Sequence, residues 1–349
     1  AKKLKDVIYH NRLGSQLDRV TRLRSLSAQI ADRMGTDNAK VSRAAELCKA
    51  DLLSGMVGEF PTLQGTMGRY YALAQGESSD VADALEQYYQ PRFANDHIPT
   101  SKVATALALA DKLDVIVGIF GVGLIPSGEK DPFALRRQAI GIIRILTEHP
   151  VELNLLEVIS LTAEKFPQEL ELNIDESKIK SFIIDRFKGY LKDKGYSVDK
   201  IEAILATDSN HLHLVQPRLA AIDEFLKTDD AIALATANKR IKNILKKNNA
   251  DNHDRVEARL FSTEEEESLY KKIQTLMPKV AKAIDQMRYS DALKTLSTVR
   301  NEVDFFFEEV MVMSDDPAER ANRLGLLSQL SALLNCVGDL SELSIAVTN

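Results

Sequence analysis

Apolar residues recur every three or four positions along most of this 349-residue chain. That spacing places them on one face of an α-helix and leaves polar residues on the other. The pattern predicts long helices at 1–35, 102–117, 133–146 and 176–194, and we find no segment with the two-residue alternation of a half-buried strand. The run Val115–Phe120 has the length of a buried strand, but we interpret it as the end of a helix that leads into a loop. We therefore expect an all-α, multi-domain fold.

Residues suited to cap a helix stand directly before several of these segments. Asp37, Ser78, Ser101 and Thr263 each carry a side-chain oxygen that accepts a backbone N–H at a helix start. Ser197 and Ser290 are assigned the same role. Four glutamates follow Thr263 and favour the positive end of a helix dipole, which strengthens the prediction of a helix there.

Changes in charge density along the chain indicate three successive parts. Residues 1–150 hold six predicted helices that can share one core, and residues 151–235 hold shorter helices with more charge. Residues 236–349 hold three long amphipathic helices. We expect a helical domain at 1–150, a connecting helical module at 151–235 and a helical bundle at 236–349.

Composition limits the class of protein and its partners. The chain is 44% hydrophobic and 28% charged, which is typical of a globular protein, and its formal charge of −6 requires any nucleic-acid site to be a local patch. Cys48 and Cys336 cannot form a disulfide framework or a zinc cluster, and we interpret both as reduced core residues. No apolar run reaches membrane-spanning length and no signal peptide is visible. We expect a cytoplasmic protein that binds neither membrane nor DNA.

The strongest local patch is Asn238–Lys247, NKRIKNILKK, which contains no acidic residue. Ile241, Ile244 and Leu245 can anchor one face, so the cations project from the other and suit phosphate contacts. An ordinary solvated helix face is the alternative. The candidate RNA-binding residues here are Lys239, Arg240, Lys242, Asn243 and Lys246.

A second polar set is Arg320, Asn322 and Arg323, whose side chains can hydrogen-bond the edges of unstacked bases. The alternative is that they pair with acidic residues in the first turn of their own helix. The nearby aromatic run Phe305–Phe307 is interpreted as core, with at most one of its three rings pointing outward.

The segment Gly123–Lys130, GLIPSGEK, has the two glycines of a phosphate-binding loop. Glu129 precedes the lysine and Asp131 replaces the magnesium-binding hydroxyl, so two carboxylates would repel phosphate and we reject a nucleotide site. An RNA contact remains a hypothesis, with the alternative that the arginines cap or flank the next helix. Its candidate residues are Lys130, Arg136 and Arg137.

Two stretches resemble the bacterial glycyl-tRNA synthetase beta subunit: GEFPTLQGTMGRYYA at 58–72 and ADKLDVIVGIFGVGLIPSGEKDPFAL at 110–135. The likeness extends along essentially the whole chain and corresponds to the C-terminal half of a longer subunit. It implies an HD-type domain in the first part. NKRIKNIL, VDFFFEEVMVM and RANRLGLL in the last part resemble the DALR-type anticodon-binding bundle, which is shared in form with arginyl-tRNA synthetases.

An HD hydrolase binds a divalent metal through a histidine, a His-Asp pair and a later aspartate. Here Asp51, in the sequence Lys-Ala-Asp, stands in place of the pair and Asp111 in place of the later aspartate, but the metal histidines are missing apart from His10. We interpret Asp51 and Asp111 as vestigial HD positions without a metal. Lys49 next to Asp51 suggests an internal ion pair in place of the metal, and the alternative is that both groups face solvent. The one literal pair, His253–Asp254, is interpreted as a surface loop.

The resemblance implies the tRNA-binding part of the beta subunit of glycine–tRNA ligase, an aminoacyl-tRNA synthetase. It further implies that ATP, Mg²⁺ and the activation chemistry belong to the alpha subunit, so we expect no catalytic residue and no cofactor in this chain. The expected partners are glycine tRNA and the alpha subunit. Two alternatives remain open: a stand-alone HD-type metal-dependent phosphohydrolase, and a non-catalytic helical scaffold that binds protein.

Overall fold

The computed structural model describes residues 2–128, 130–149, 151–250 and 255–344. These ranges contain sixteen α-helices and a two-stranded antiparallel sheet of β1 (Ile8–His10) and β2 (Gly14–Ser15), so the all-α class is confirmed. None of the described helices combines the length and the apolar character needed to cross a membrane. The α-helices are α1 (Gln16–Met34), α2 (Asn38–Leu47), α3 (Gly55–Glu59), α4 (Thr66–Ala74), α5 (Ser79–Gln87), α6 (Lys102–Gly121), α7 (Leu135–Glu148), α8 (Leu155–Ala163), α9 (Glu176–Asp193), α10 (Val198–Thr207), α11 (Val215–Phe225), α12 (Asp229–Lys247), α13 (Glu264–Asp285), α14 (Tyr289–Ser297), α15 (Arg300–Glu309) and α16 (Pro317–Leu334).

Contacts between residues divide the described chain into two compact units. Unit 1 comprises the chain up to Tyr190 together with Asn210–His213, and unit 2 comprises Leu191–Ser209 and the chain from Leu214 onward. The predicted connecting module at 151–235 is therefore shared between the two units. A finer division into three domains stays a prediction.

Unit 1 is built around α6, whose residues from Val103 to Gly121 are all buried. This helix packs against α1, α2, α5, α7 and α8. A helix that is buried on every side has an apolar surface all round, and α6 fits that description except for a few charged residues near its middle. Those charges form the candidate site described below.

Helix α6 extends to Gly121, four residues beyond the predicted end at Val117. We interpreted Gly118 and Gly121 as loop residues, and their actual role is close packing. A Cβ atom at Gly118 would lie 3.0 Å from Leu13 Cδ1 and from Phe166 Cζ, and one at Gly121 would lie 3.0 Å from Ile174 Cγ1. A larger residue at either position would force these neighbours to shift by a few tenths of an ångström, a constraint that local sequence does not reveal.

The helix predicted from residue 1 begins only at Gln16. A 3₁₀-helix, Lys2–Asp6, and the β1–β2 hairpin come first. Ser15 and Asp18 form a reciprocal capping box that fixes the start of α1, and Gly35 ends it in the left-handed conformation with φ 59°. The periodic pattern identified the helix correctly, whereas the cap decided its boundary.

The other predicted caps are confirmed with two exceptions. Ser197 stands directly before α10, but its side chain accepts no backbone N–H of that helix. Asp37, Ser78, Ser101 and Thr263 each accept a backbone N–H in the first turn of α2, α5, α6 and α13. Ser290 does not cap, because α14 has already begun at Tyr289 and the Ser290 hydroxyl donates to Glu224 at 2.7 Å.

Unit 2 is organised by α13, which packs against α14, α15 and α16. The sequence predicts one apolar stripe through residues 269–287, and Leu269, Ile273, Leu276 and Val280 form its buried face. Ile284 is only partly buried, and Met287, which lies beyond the end of the helix, is 49% exposed. Helix α12 packs against α16 and α15 in the same unit. The core of unit 2 is therefore a bundle of amphipathic helices, with α12 on its outside.

The run Phe305–Phe307 is less buried than predicted. Phe306 is fully buried, but Phe305 is 58% exposed and Phe307 is partly exposed. The expectation that at most one ring points outward is wrong. Successive residues turn by about 100° around a helix, so the two outer rings flank the buried one on opposite sides.

The burial of Phe306 gives a test of the unit 2 core. Phe306→Ala should lower the free energy of unfolding by about 3–5 kcal/mol, because it removes buried apolar surface and leaves a cavity. Urea unfolding measures this loss, and Phe305→Ala on the same helix serves as the control and should change little. Equal losses for the two variants would contradict the assigned burial.

Candidate functional site

Charged side chains meet inside the core of unit 1. The Asp111 Oδ1 atom lies 2.9 Å from an Arg19 nitrogen and 2.9 Å from Lys49 Nζ. Asp114 receives Arg22 Nε at 2.7 Å and lies 3.3 Å from Arg19 Nε. We call these five residues the charge cluster. All five side chains are buried, so each carboxylate is neutralised by cations rather than by water.

The charge cluster settles the orientation of Lys49. The alternative that Lys49 and Asp51 face solvent is excluded, since both residues are 4% exposed. Lys49 pairs with Asp111, and its ammonium also lies 4.6 Å from the centre of the Tyr88 ring. Asp51 has a different role: its Oδ2 accepts the Gly65 N–H at 2.7 Å and so holds the start of α4.

Arg19 and Arg22 were not identified from sequence. Both project from the buried face of α1, and they reach α6 across 92 residues of chain. Their spacing of three residues on an apolar helix face was the available signal, because an arginine in such a position needs an internal partner.

The residues that we interpreted from sequence as vestigial HD positions, Asp51 and Asp111, do not fit a divalent metal. An ammonium and a guanidinium group already contact Asp111, and their positive charges would repel a cation placed there. Across the described residues, no group of three or more His, Cys, Asp or Glu side chains could hold a metal ion. His10 is engaged elsewhere: its Nδ1 accepts the Arg12 N–H and its ring packs edge-on against Phe133. The pair His253–Asp254 lies outside the described residues.

Burial and charge shift two pKa values in and beside the charge cluster. Burial alone would raise the pKa of Asp111, but Arg19 and Lys49 outweigh it and lower the pKa to about 2. Lys112 is also buried; desolvation, with some repulsion from Lys49 and Arg19, lowers its pKa to about 8. Its ammonium lies 3.3 Å from the Tyr89 carbonyl oxygen. Asp111 therefore stabilises the fold above pH 4, and this contribution is lost as the pH falls towards 2.

In unit 2 the predicted basic face lies on α12. Ile241 and Leu245 are buried, whereas four of the five candidate residues are exposed. Lys242 differs, because it pairs with Asp339 and lies 3.5 Å from Glu342. Within the described residues, no acidic group lies within 4.0 Å of the other three cations. The exposed candidates are Lys239, Arg240, Asn243 and Lys246.

Arg240 has an aromatic partner on the neighbouring helix. Its guanidinium carbon lies 4.1 Å from the centre of the Phe307 ring, a cation–π contact. The two residues stand at one end of a groove of about 500 Å³ between α12 and α15. Sequence analysis selected Arg240 for its charge but missed Phe307.

Two of the three residues in the second polar set lie inside unit 2. Asn322, 4% exposed, exchanges two hydrogen bonds with the backbone of Glu257. Arg323, 6% exposed, donates to Glu266, to the Ser262 hydroxyl and to the Met311 carbonyl. Their polar atoms are already bonded, so neither is carried into the proposed RNA surface. Arg320 is partly exposed and donates to the Ser314 carbonyl.

The three candidate RNA-binding residues near α7 also differ in exposure. Lys130 and Arg137 are exposed, whereas Arg136 is half-buried and donates to the Gly128 carbonyl. Asp131 accepts the N–H groups of Leu135 and Arg136, so this carboxylate caps α7. Glu129 is outside the described residues.

Removing the Asp111 carboxylate, which Arg19 and Lys49 share, should lower the free energy of unfolding strongly. Asp111→Asn keeps the shape of the side chain but leaves Arg19 and Lys49 buried with less negative charge, so we expect a loss of about 3–5 kcal/mol in urea unfolding. Asp80→Asn, which breaks the exposed pair with Lys40, is the control and should have little effect. A small loss for both variants would show that the cluster is solvated.

Lys112 predicts a pH dependence of stability. The unfolded chain keeps this lysine protonated up to about pH 10, whereas the folded chain releases the proton near pH 8. Between these values the unfolded state binds more protons, so the contribution of Lys112 to the unfolding free energy rises with pH by about 1 kcal/mol per unit. The difference between the unaltered chain and Lys112→Met should show this rise from pH 8 to 10.

Groups that titrate in both proteins cancel in that difference, so it isolates Lys112. Lys102→Met, which changes an exposed lysine at the start of the same helix, is the matched control for the substitution itself. A difference for Lys112→Met that does not rise from pH 8 to 10 would mean that Lys112 keeps its proton in the folded chain.

Comparisons with known proteins identify the family of both units. Residues 1–206 match the family model of the glycyl-tRNA synthetase beta subunit, and residues 234–343 match that of the DALR anticodon binding domain. The second match includes α12 and the bundle that carries it.

Curated relatives agree with these matches. The chain is 48% identical to the glycine–tRNA ligase beta subunit of Ralstonia nicotianae over 342 residues, and 48% identical to that of Aromatoleum aromaticum over 343. It is 46% identical to the same subunit of Neisseria gonorrhoeae over 341 residues. Each alignment covers 98% of this chain and 49% of the relative, so the chain spans about half the length of these relatives. That this half is the C-terminal one stays a prediction. The chain belongs to the glycyl-tRNA synthetase beta subunit family.

Proposed function

We propose that this chain is the part of a glycine–tRNA ligase beta subunit that holds tRNA, with unit 2 binding the anticodon arm. The observation that carries the proposal is the exposed basic face of α12. Buried apolar residues anchor this helix, and Lys239, Arg240 and Lys246 project from it without acidic partners among the described residues. Such cations bind the phosphates of an RNA strand and release its counterions.

Binding of this kind contributes to catalysis by positioning. Holding the anticodon arm fixes the reactive end of the tRNA relative to an active site on the alpha subunit, where ATP and Mg²⁺ would act. Lys130 and Arg137 of unit 1 offer exposed cations for a second contact with tRNA or with the alpha subunit. The cytoplasm is the compartment in which such an enzyme would work.

Unit 1 gives no support to the phosphohydrolase alternative. Its vestigial HD positions hold cations next to Asp111, in the place where a hydrolase needs a metal and an activated water. The scaffold alternative makes a different prediction from ours, because a protein-binding bundle has no reason to bind tRNA in a salt-dependent way.

The proposal predicts that charge reversal on α12 weakens tRNA binding. The double variant Lys239→Glu/Lys246→Glu should bind glycine tRNA about tenfold more weakly or worse, since two phosphate contacts become repulsive. Filter-binding titrations at several salt concentrations measure both the affinity and its salt dependence, and the slope of log K against log salt should become shallower by about two.

A matched control is available on α13 in the same unit. Lys279→Glu/Lys282→Glu makes the same change of charge on exposed residues away from α12. It should lower the affinity far less. If the two double variants bind equally well, tRNA is not held by the basic face of α12.

A further inference from the structure

The groove between α12 and α15 has two different ends. At one end Arg300 is already paired, with Asp230 at 2.9 Å and Asp304 at 3.6 Å. At the other end stand Arg240, Phe307 and Glu308. We call these three residues the stacking end.

The charged groups of the stacking end are available for a ligand. Glu308 and Arg240 are both exposed, and among the described residues neither has an ion-pair partner within 4.0 Å, including each other. The Arg240 guanidinium carbon lies 4.1 Å from the centre of the Phe307 ring, and the Arg240 side chain is exposed. A second flat group can therefore approach it from solvent.

A flat aromatic base fits this arrangement. Unpaired RNA bases stack on guanidinium planes and aromatic rings, and their edges are then recognised by hydrogen bonds. The volume of about 500 Å³ is in the range of small-ligand sites and exceeds what one pyrimidine needs. The groove also lies on α12, beside the cations that would hold the phosphates on either side of such a base.

Glu308 is the residue of the stacking end that selects among the bases, because a guanidinium stacked on a base cannot also bond the edge of that base. The Glu308 carboxylate offers only acceptors. Cytosine presents an amino donor at N4, and carboxylates accept hydrogen bonds from this group. Uracil presents a carbonyl oxygen at the same position, so two acceptors would face each other.

We propose that the stacking end binds one of the two cytosines that pair with the guanines of glycine codons, and that Glu308 distinguishes this cytosine from uracil. Arg240 stacks on the base, Phe307 supports Arg240, and the basic face of α12 holds the backbone. The inference rests on the proposed function of unit 2. It goes further by assigning base selection to Glu308, a residue that binds no phosphate.

The test measures the dissociation constants of the 349-residue chain for glycine tRNA and for two altered tRNAs. In each altered tRNA one of these two cytosines is changed to uracil. The unaltered chain should prefer cytosine by about tenfold or more at one of the positions, the discrimination expected of a good base-edge contact.

Glu308→Gln should bring the ratio of the dissociation constants for the uracil and cytosine tRNAs close to one. The glutamine amide can rotate and donate a hydrogen bond to the uracil oxygen. Phe307→Ala should also reduce the preference, through loss of the stack, while the salt dependence of binding stays the same. The controls are Glu309→Gln and Phe305→Ala, which alter exposed residues on α15 outside the groove and should keep the full preference.

Each remaining outcome contradicts the inference. A preference that survives both Glu308→Gln and Phe307→Ala places base selection elsewhere while leaving the proposed function intact. Salt-dependent binding without any preference for cytosine also contradicts the inference, because no base is then selected. It too leaves the proposed function intact. Failure of the unaltered chain to bind glycine tRNA overturns the proposed function and this inference together.

Discussion

The fold of unit 1 depends on how the charges of α6 are neutralised. This helix is buried along its whole length, yet it carries Asp111 and Asp114 in the interior. Burying an unpaired carboxylate costs several kcal/mol, so the fold requires cations that reach α6 from other elements. Arg19 and Arg22 come from α1, and Lys49 comes from the segment after α2. These pairs tie α1 and the segment after α2 to the central helix.

Unit 2 uses its polar residues in two separate ways. Asn322 and Arg323 are bonded inside the bundle and hold the chain before α13 against α16. The cations of α12 lie outside, where they make few internal contacts. This separation lets the buried set specify the bundle, while the exposed set stays available to a ligand of opposite charge. Both sets lie within stretches that resemble the DALR family, so the motifs alone did not separate the buried residues from the exposed ones.

Local sequence was sufficient for most helices and for their caps. Periodicity located α13 and α16, and Asp37, Ser78, Ser101 and Thr263 marked helix starts correctly. What local sequence could not supply were facts that depend on distant residues. The extension of α6 through Gly118 depends on Leu13 and Phe166, and the partner of Lys49 lies 62 positions away at Asp111. The exposure of Phe305 and Phe307 likewise depends on which elements pack against α15.

One side chain described above has a consequence for local motion. Arg323 on α16 is bonded to Glu266, and Glu266 in turn accepts the backbone N–H groups of Ser262 and Thr263 at the start of α13. These amide hydrogens are therefore protected by a chain of contacts that ends on a different helix. Fraying of the first turn of α13 has to release Arg323 as well, so hydrogen exchange there should be coupled to the opening of α16 and proceed far more slowly than at an ordinary helix end.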